Sequence, residues 1–332
     1  MPRALRALVP ALALVAAGVM AYANSFTGVF LFDDRPSIVD NPQVRNPAPW
    51  ADPLAAMSAP RNVTVSGRPV ASFTFALDYA LAAPDARNVF DPPPPGSLAS
   101  ADAFERNVWV YHATNLIIHL VAGVALFGVA RRSLRLPSLA PVFGAADEPL
   151  AFLVALLWIV HPLQTGSVTY IVQRVESLMG LWLLVMLYAS IRAHGVEGTR
   201  RLAWTAAAVI ACALGMGSKE VMVGAPLLVV AWDWTLLSLP FRQLIARRWP
   251  LYVGLAATWI LLGALVAMDP RPLSTGFGFA EWPWWKYFAT QTGVILHYLR
   301  LAIYPSPLVL DYDWRAVTSL TQALVQIGRA HV

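Results

Sequence analysis

Eight apolar runs, most of them long enough to cross a lipid bilayer, set the terms on which this 332-residue chain can fold. A membrane-spanning helix needs about 20 predominantly apolar residues. The first run is Leu5 to Ala23. The others lie near 108–130, 150–165, 167–191, 202–217, 220–239, 250–268 and 286–304. In lipid each backbone N–H and C=O must find its partner inside the protein, which leaves helices as the natural form for runs of this length. Only 13% of the residues are charged and 58% are apolar, against roughly 25% charged in a soluble domain. A water-soluble enzyme is thereby excluded, and an aromatic share of 11% argues against disorder. The expectation is an all-α polytopic membrane protein of roughly eight or more spans, with a long loop, about 25–107, after the first.

Arginine sets the orientation. Of the 24 basic residues only Lys219 and Lys286 are lysine, and the formal net charge is +5. A nucleic-acid binder gathers its cations on one solvated face. Here they stand in short clusters between apolar runs, so no nucleic-acid partner is expected. Arg131, Arg132 and Arg135 follow the second run, Arg192, Arg200 and Arg201 the fourth, and Arg242, Arg247 and Arg248 the sixth. With Arg3 and Arg6 these mark every second connection, which the positive-inside rule assigns to the cytoplasm together with the N-terminus. The loop 25–107 and the junctions near 161–170 and 217–220 then lie on the opposite face, periplasmic in a bacterial inner membrane. Residues 305–316 are cytoplasmic if 286–304 spans and outside if it is re-entrant. Ala21-Tyr22-Ala23 also fits a signal-peptide cleavage site, but the apolar length suits a retained span.

Within the first loop, residues 70–83 carry an apolar helical face, read as a helix lying in the membrane interface. Pro92 to Pro95 form a stiff linker. The last residues, Ile327 to Val332, match the translation of a common sequencing adapter. The expectation is a natural domain over 1–326 that runs on past Gln326, with a non-native tail over 327–332.

Ionisable residues at membrane depth are costly and so are candidates for function. Asp33 and Asp34 emerge just past the first run. One carboxylate of such a doublet can act as general base on a hydroxyl while the other, or Arg35, orients it. His161-Pro162 closes the third run. On the helix expected after it, Tyr170 and Arg174 share a face, and Gln173 and Glu176 another. Arg174 needs an anion, which Glu176, another helix or a ligand phosphate can supply. After Gly215-Met216-Gly217, Ser218 is placed to cap the next helix. Lys219 beside that helix N-terminus suits a phosphate, with Glu220 next to it. His112 and His119 are read as packing residues and no metal site is expected. Asp233 between Trp232 and Trp234 reads as interfacial anchoring. Asp311-Tyr312-Asp313-Trp314 is acidic and open as to side. Gly276-Phe277-Gly278 lacks the strand and third glycine of a nucleotide fingerprint, and the single cysteine, Cys212, supports no disulfide framework.

Four stretches together resemble a known family: Phe32-Asp33-Asp34-Arg35-Pro36-Ser37-Ile38-Val39-Asp40-Asn41-Pro42; Gly67-Arg68-Pro69-Val70; His161-Pro162-Leu163-Gln164-Thr165 through Arg174-Val175-Glu176-Ser177-Leu178; and Ser218-Lys219-Glu220. Over roughly residues 5–315 the chain resembles bacterial relatives of the transmembrane and tetratricopeptide-repeat O-mannosyltransferases, within the GT-C glycosyltransferases. The resemblance implies a GT-C-like bundle with interfacial helices in its first outer loop, and tetratricopeptide repeats downstream. It implies an inverting transferase that moves mannose or a similar sugar from a polyprenyl-phosphate donor to a hydroxyl, on protein Ser/Thr or on a glycan. Asp33, with Asp34 as the other candidate, is implied as the catalytic carboxylate. Arg35, Arg68, His161, Tyr170, Arg174, Glu176, Lys219 and Glu220 are implied to hold the donor phosphate or substrate. No cofactor is demanded, and assistance by a divalent metal stays open. The family pattern has a small or acidic residue after the threonine, and Gly166 stands there, which leaves no side chain to play a role at 166. A transporter or flippase of lipid-linked sugars and a non-catalytic membrane scaffold are the alternatives. Charges gathered at span ends, with no internal repeat, favour the enzyme over the transporter.

Overall fold

The computed structural model describes residues 3–46, 48–81, 108–269 and 284–312, with Trp314 and Val317. Pro92–Pro95, Gly276–Gly278, Asp313 and the tail 327–332 lie outside the described residues. The chain divides into two compact units, 1–269 and 270–332.

Among the described residues every regular element is helical. The longer ones in the first unit are α1 (Arg3–Tyr22), α2 (Pro69–Leu81), α3 (Trp109–Leu134), α4 (Asp147–Ile159), α5 (Arg174–His194), α6 (Gly198–Met216), α7 (Ala225–Leu236) and α8 (Phe241–Met268). The second unit contains α9 (Trp284–Ile303). Five segments among the described residues are long and apolar enough to span: Leu8–Thr27, Trp109–Leu134, Ala140–Ile159, Ile171–His194 and Phe241–Met268. The expected eight are not all met at that measure. The run 220–239 yields a helix of only 12 residues, α7, about 18 Å at 1.5 Å per residue. Residues Glu220–Gly224 before it form a 3-10 turn.

In the first unit α3 packs against α1, α4 and α5, α5 packs against α6, and α8 closes against α6 and α7. The chain reverses at each short connection, so the arginine clusters gather at one end of the bundle. Asp33, residues 161–173 and residues 217–220 gather at the other. The described part of the loop after α1 does not trail into solvent. Ile38, Val44 and Val65 are fully buried and join α2, α3 and α5 in one apolar cluster. Helix α2 differs from the expected interfacial helix. Its apolar face is turned onto the bundle, with Ala71, Phe75, Ala76 and Tyr79 buried. Asp78 on that face explains the choice, because a carboxylate cannot be left in lipid and here reaches a cation.

Candidate active site

Adjacent aspartates take opposite environments. Asp34 is fully buried. Its Oδ2 accepts the Leu31 N–H at 2.8 Å and its Oδ1 accepts the Val172 N–H at 2.7 Å. Asp34 therefore fastens the first loop to the turn that opens α5. Burial raises its carboxyl from 3.8 to about 6, although those two N–H donors favour the anion. Asp33 faces out. Its N–H donates to the Tyr170 hydroxyl oxygen at 3.0 Å, and its Oδ2 accepts the Thr64 hydroxyl at 3.1 Å. Partial burial pushes Tyr170 up to about 12, which keeps it a neutral phenol at physiological pH. Phe32, directly before the doublet, has φ of +40° and an exposed ring. A bulky residue held in the left-handed region stores roughly 1–3 kcal/mol of strain, met here by the bonds that fix Asp33 and Asp34.

Thr64 joins Asp33 to a cation. Its N–H donates to Ser37 Oγ at 3.2 Å, and its carbonyl accepts from Arg68 Nη1 at 2.6 Å. Gly67, with φ of +66°, supplies the left-handed turn that swings the chain from Ser66 into Arg68. Arg68 in turn pairs with Glu220, Nη2 to Oε2 at 2.9 Å. The N-terminus of α2 docks on the end of α6 through the Val70 N–H and Gly217 carbonyl, 3.0 Å apart. One residue from Glu220, Lys219 pairs with Glu176 in the first turn of α5. Tyr170, Asp33, Thr64, Arg68 and Glu220 thus form one connected polar line at the end of the bundle. The Lys219–Glu176 pair adjoins it in sequence.

Several sequence expectations are corrected. Arg174 is fully buried and its guanidinium is taken up inside the protein. Nε donates to Asn115 Oδ1 at 2.6 Å, and Nη2 donates to the Tyr111 carbonyl at 2.9 Å and pairs with Asp78 at 2.5 Å. Its guanidinium carbon also lies 4.2 Å from the Phe75 ring centroid. The anion it needed is Asp78 of α2, a residue sequence reasoning missed, and no surface of Arg174 remains for a phosphate. Tyr170 and Arg174 do not share a helix face. Tyr170 is extended, with ψ of 111°, residues Ile171–Gln173 form a 3-10 turn, and α5 begins only at Arg174. Arg35 pairs with Asp40 at 3.5 Å in solvent and does not orient Asp33. Ser218 is not the cap of the next turn, where Lys219 stands at the N-cap with no side-chain bond, and its hydroxyl donates back to the Leu214 carbonyl at 2.8 Å. Asp233 is buried against Arg248 and accepts the Tyr252 hydroxyl at 2.7 Å, so it is no interfacial anchor. His161 Nδ1 accepts the Leu163 N–H at 3.2 Å and opens the turn Pro162–Gln164.

His112 lies buried against Gly28, where an added Cβ would stand 2.8 Å from Nε2, and His119 Nε2 bonds the Ile159 carbonyl at 2.9 Å. Among the described residues no group of three or more His, Cys, Asp or Glu gathers as a metal site would. At Gly166 an added side chain would meet open space.

The chain is similar to curated proteins, in two cases over most of its length. A protein O-mannosyl-transferase of Caenorhabditis elegans is 24% identical over 315 residues, 93% of this chain and 40% of its own length. Other proteins similar to this chain carry the same name. The Drosophila melanogaster Tmtc2 protein of that name is 25% identical over 88% of this chain and 29% of its own length. The Homo sapiens TMTC1 protein is 28% identical over 52% of this chain and 17% of its own length. The chain therefore spans about two fifths or less of these relatives. No family model matches the chain, and no solved structure does.

Proposed function

We propose that the chain carries the membrane-embedded catalytic part of a protein O-mannosyltransferase. It transfers mannose or a similar hexose from a polyprenyl-phosphate donor to a serine or threonine hydroxyl, with inversion, on the membrane face opposite the arginine clusters. The observation that carries this reading is the division within the aspartate doublet. Asp34 is spent on holding the loop, and Asp33 is held by its own backbone and by Thr64 with its carboxylate open to solvent.

In this reading Asp33 takes the proton of the acceptor hydroxyl. The oxygen attacks the anomeric carbon, the bond from that carbon to the phosphate oxygen breaks, and the electron pair leaves with polyprenyl phosphate. Positive groups at the developing phosphate charge lower the barrier. Arg68 and Lys219 are the cations at this rim. Their side chains are 10% and 19% exposed, while Glu220 and Glu176 above them are 40% and 35% exposed. The carboxylates therefore occupy the cations until a donor phosphate takes their place. Arg174 has no part in that step and instead keeps α2 on the bundle.

The test uses membranes containing the chain, a polyprenyl-phosphate mannose donor and a Ser/Thr peptide. Asp33→Asn keeps the shape and removes the base, so turnover is expected to fall about 10²- to 10⁴-fold with the fold intact. Turnover equal to the parent's in Asp33→Asn overturns the assignment. Arg68→Gln is expected to raise the donor concentration needed for half-maximal rate.

A further inference from the structure

At the arginine end of the bundle α1, α3 and α5 border a groove of about 460 Å³, a size typical of small-ligand sites, roughly 300–1,000 Å³. Ala11, Val124 and Phe127 form part of an apolar wall, and Arg131, Arg132, Arg135 and Tyr188 form the mouth. Gly128 lets the Tyr188 ring pack closely on α3 at the groove's wall, since a Cβ there would stand 2.7 Å from that ring. The outer side borders the lipid, as Leu12 of α1 and Val121 of α3 are exposed.

The cations at the mouth are not equally matched. Arg131 pairs with Asp147 and Glu148, and Arg135 pairs with Asp147. Arg132 and, outside the lining but joined to it through Tyr188, Arg192 instead both donate to the Tyr188 hydroxyl oxygen, at 3.4 and 3.3 Å. Arg132 also lies over the Tyr188 ring at 5.2 Å, and Arg192 over the Trp204 ring at 4.5 Å. Among the described residues neither has a carboxylate partner. Two half-buried guanidiniums on one phenol oxygen leave positive charge unanswered, directly beside an apolar channel open to lipid.

We propose that this groove binds one anionic glycerophospholipid, with an acyl chain along Ala11, Val124 and Phe127 and its phosphate between Arg132 and Arg192. Charge complementarity selects an anion, and the apolar wall selects one that carries a chain. The site is separate from the proposed catalytic one: from Trp109 to Arg132 along α3 is about 35 Å at 1.5 Å per residue. That distance favours a lipid of the surrounding bilayer over the sugar donor, and the proposal stands independently of the transferase reading.

The experiment follows thermal unfolding of the full chain in neutral detergent, with added phosphatidylglycerol, phosphatidylcholine or polyprenyl phosphate. Phosphatidylglycerol is expected to raise the Tm with saturation, and phosphatidylcholine to leave it unchanged. In the double variant Arg132→Gln/Arg192→Gln the half-saturating phosphatidylglycerol concentration should rise about 25-fold, roughly fivefold for each cation removed. Val124→Trp fills the channel with every charge in place and should abolish the shift. Equal responses to phosphatidylglycerol and phosphatidylcholine overturn the proposal, as does protection by polyprenyl phosphate alone. If the double variant fails to fold, Val124→Trp decides, and a parent-like response to phosphatidylglycerol in it is a refutation.

Discussion

The two ends of the first unit spend their arginines differently. At the Asp33 end the cations Arg68, Arg174 and Lys219 meet Glu220, Asp78 and Glu176 respectively. At the other end Arg248 meets Asp233 and Arg131 and Arg135 share Asp147, but among the described residues Arg132 and Arg192 meet a phenol oxygen and aromatic rings and no carboxylate. An ion pair sealed from solvent belongs to the fold, because its members cannot be offered to a ligand. A half-open pair, or a cation without an acid, is where an outside anion gains most. Burial of the pair, more than the presence of arginine, therefore separates architecture from binding.

The sealed pairs give the largest expected effect. Asp78→Asn and Asp233→Asn each leave a buried guanidinium without its counter-charge, a loss of roughly 3–5 kcal/mol. Both are expected to lower the unfolding temperature in detergent sharply, although they lie at opposite ends. Glu220→Gln, in the half-open pair, should barely move it, since partly exposed pairs contribute roughly 0–1 kcal/mol. A mild Asp78→Asn beside a severe Glu220→Gln would break the comparison. It would also return Arg174 to the list of groups free for a donor.

Asp34 sharpens the contrast at the open end through its pH dependence. Its folded-state carboxyl lies near 6 and its ordinary value near 3.8. The folded chain thus holds this proton more tightly than the unfolded one. Below about pH 4 both states are protonated and the folded state is at no disadvantage. Between about pH 4 and 6 the unfolded state releases this proton while the folded state keeps it, so stability falls by up to about 3 kcal/mol and levels off above 6, where the folded state carries a buried anion. Unfolding followed from pH 4 to 7 should show that decline in the parent and lose it in Asp34→Asn. The variant itself places an amide N–H against a backbone donor, at a cost of about 1–3 kcal/mol at neutral pH.

Much of this architecture is legible in the chain, and the exceptions have physical causes. Apolar runs and arginine clusters are local signals, so α1, α3, α5 and α8 and the two ends of the bundle follow from them. The demand of Arg174 for an anion is equally legible, but its answer is not. Asp78 sits in a distant segment, and only the packing of α2 on α3 and α5 brings the pair together. The doublet at 33–34 is visible as chemistry, whereas which member is buried depends on the N–H of Val172 in a turn far along the chain. Helical spacing misled at Tyr170 because it assumes an unbroken helix, and the extended residue there sends Tyr170 to Asp33. Thr64 carries no sequence signal, since a hydroxyl becomes a bridge only when both partners arrive.

The smallest effects compare one glycine at each end. Gly67 has φ of +66° and no substitute for its backbone freedom, so Gly67→Ala is expected to cost about 1 kcal/mol. The strain falls on the turn before Arg68, which reaches Asp33 through the Thr64 carbonyl and hydroxyl. Donor dependence should therefore weaken before the global fold does, a split seen by measuring turnover and unfolding on the same preparation. Gly128 is helical, and Gly128→Ala strains only the Tyr188 ring that it meets at 2.7 Å. Displacing that ring frees Arg132 and Arg192 from their shared oxygen, so the response to phosphatidylglycerol should change while transferase activity does not. If Gly128→Ala instead lowers turnover as Gly67→Ala does, the two ends are coupled through α3 and cannot be treated as independent sites.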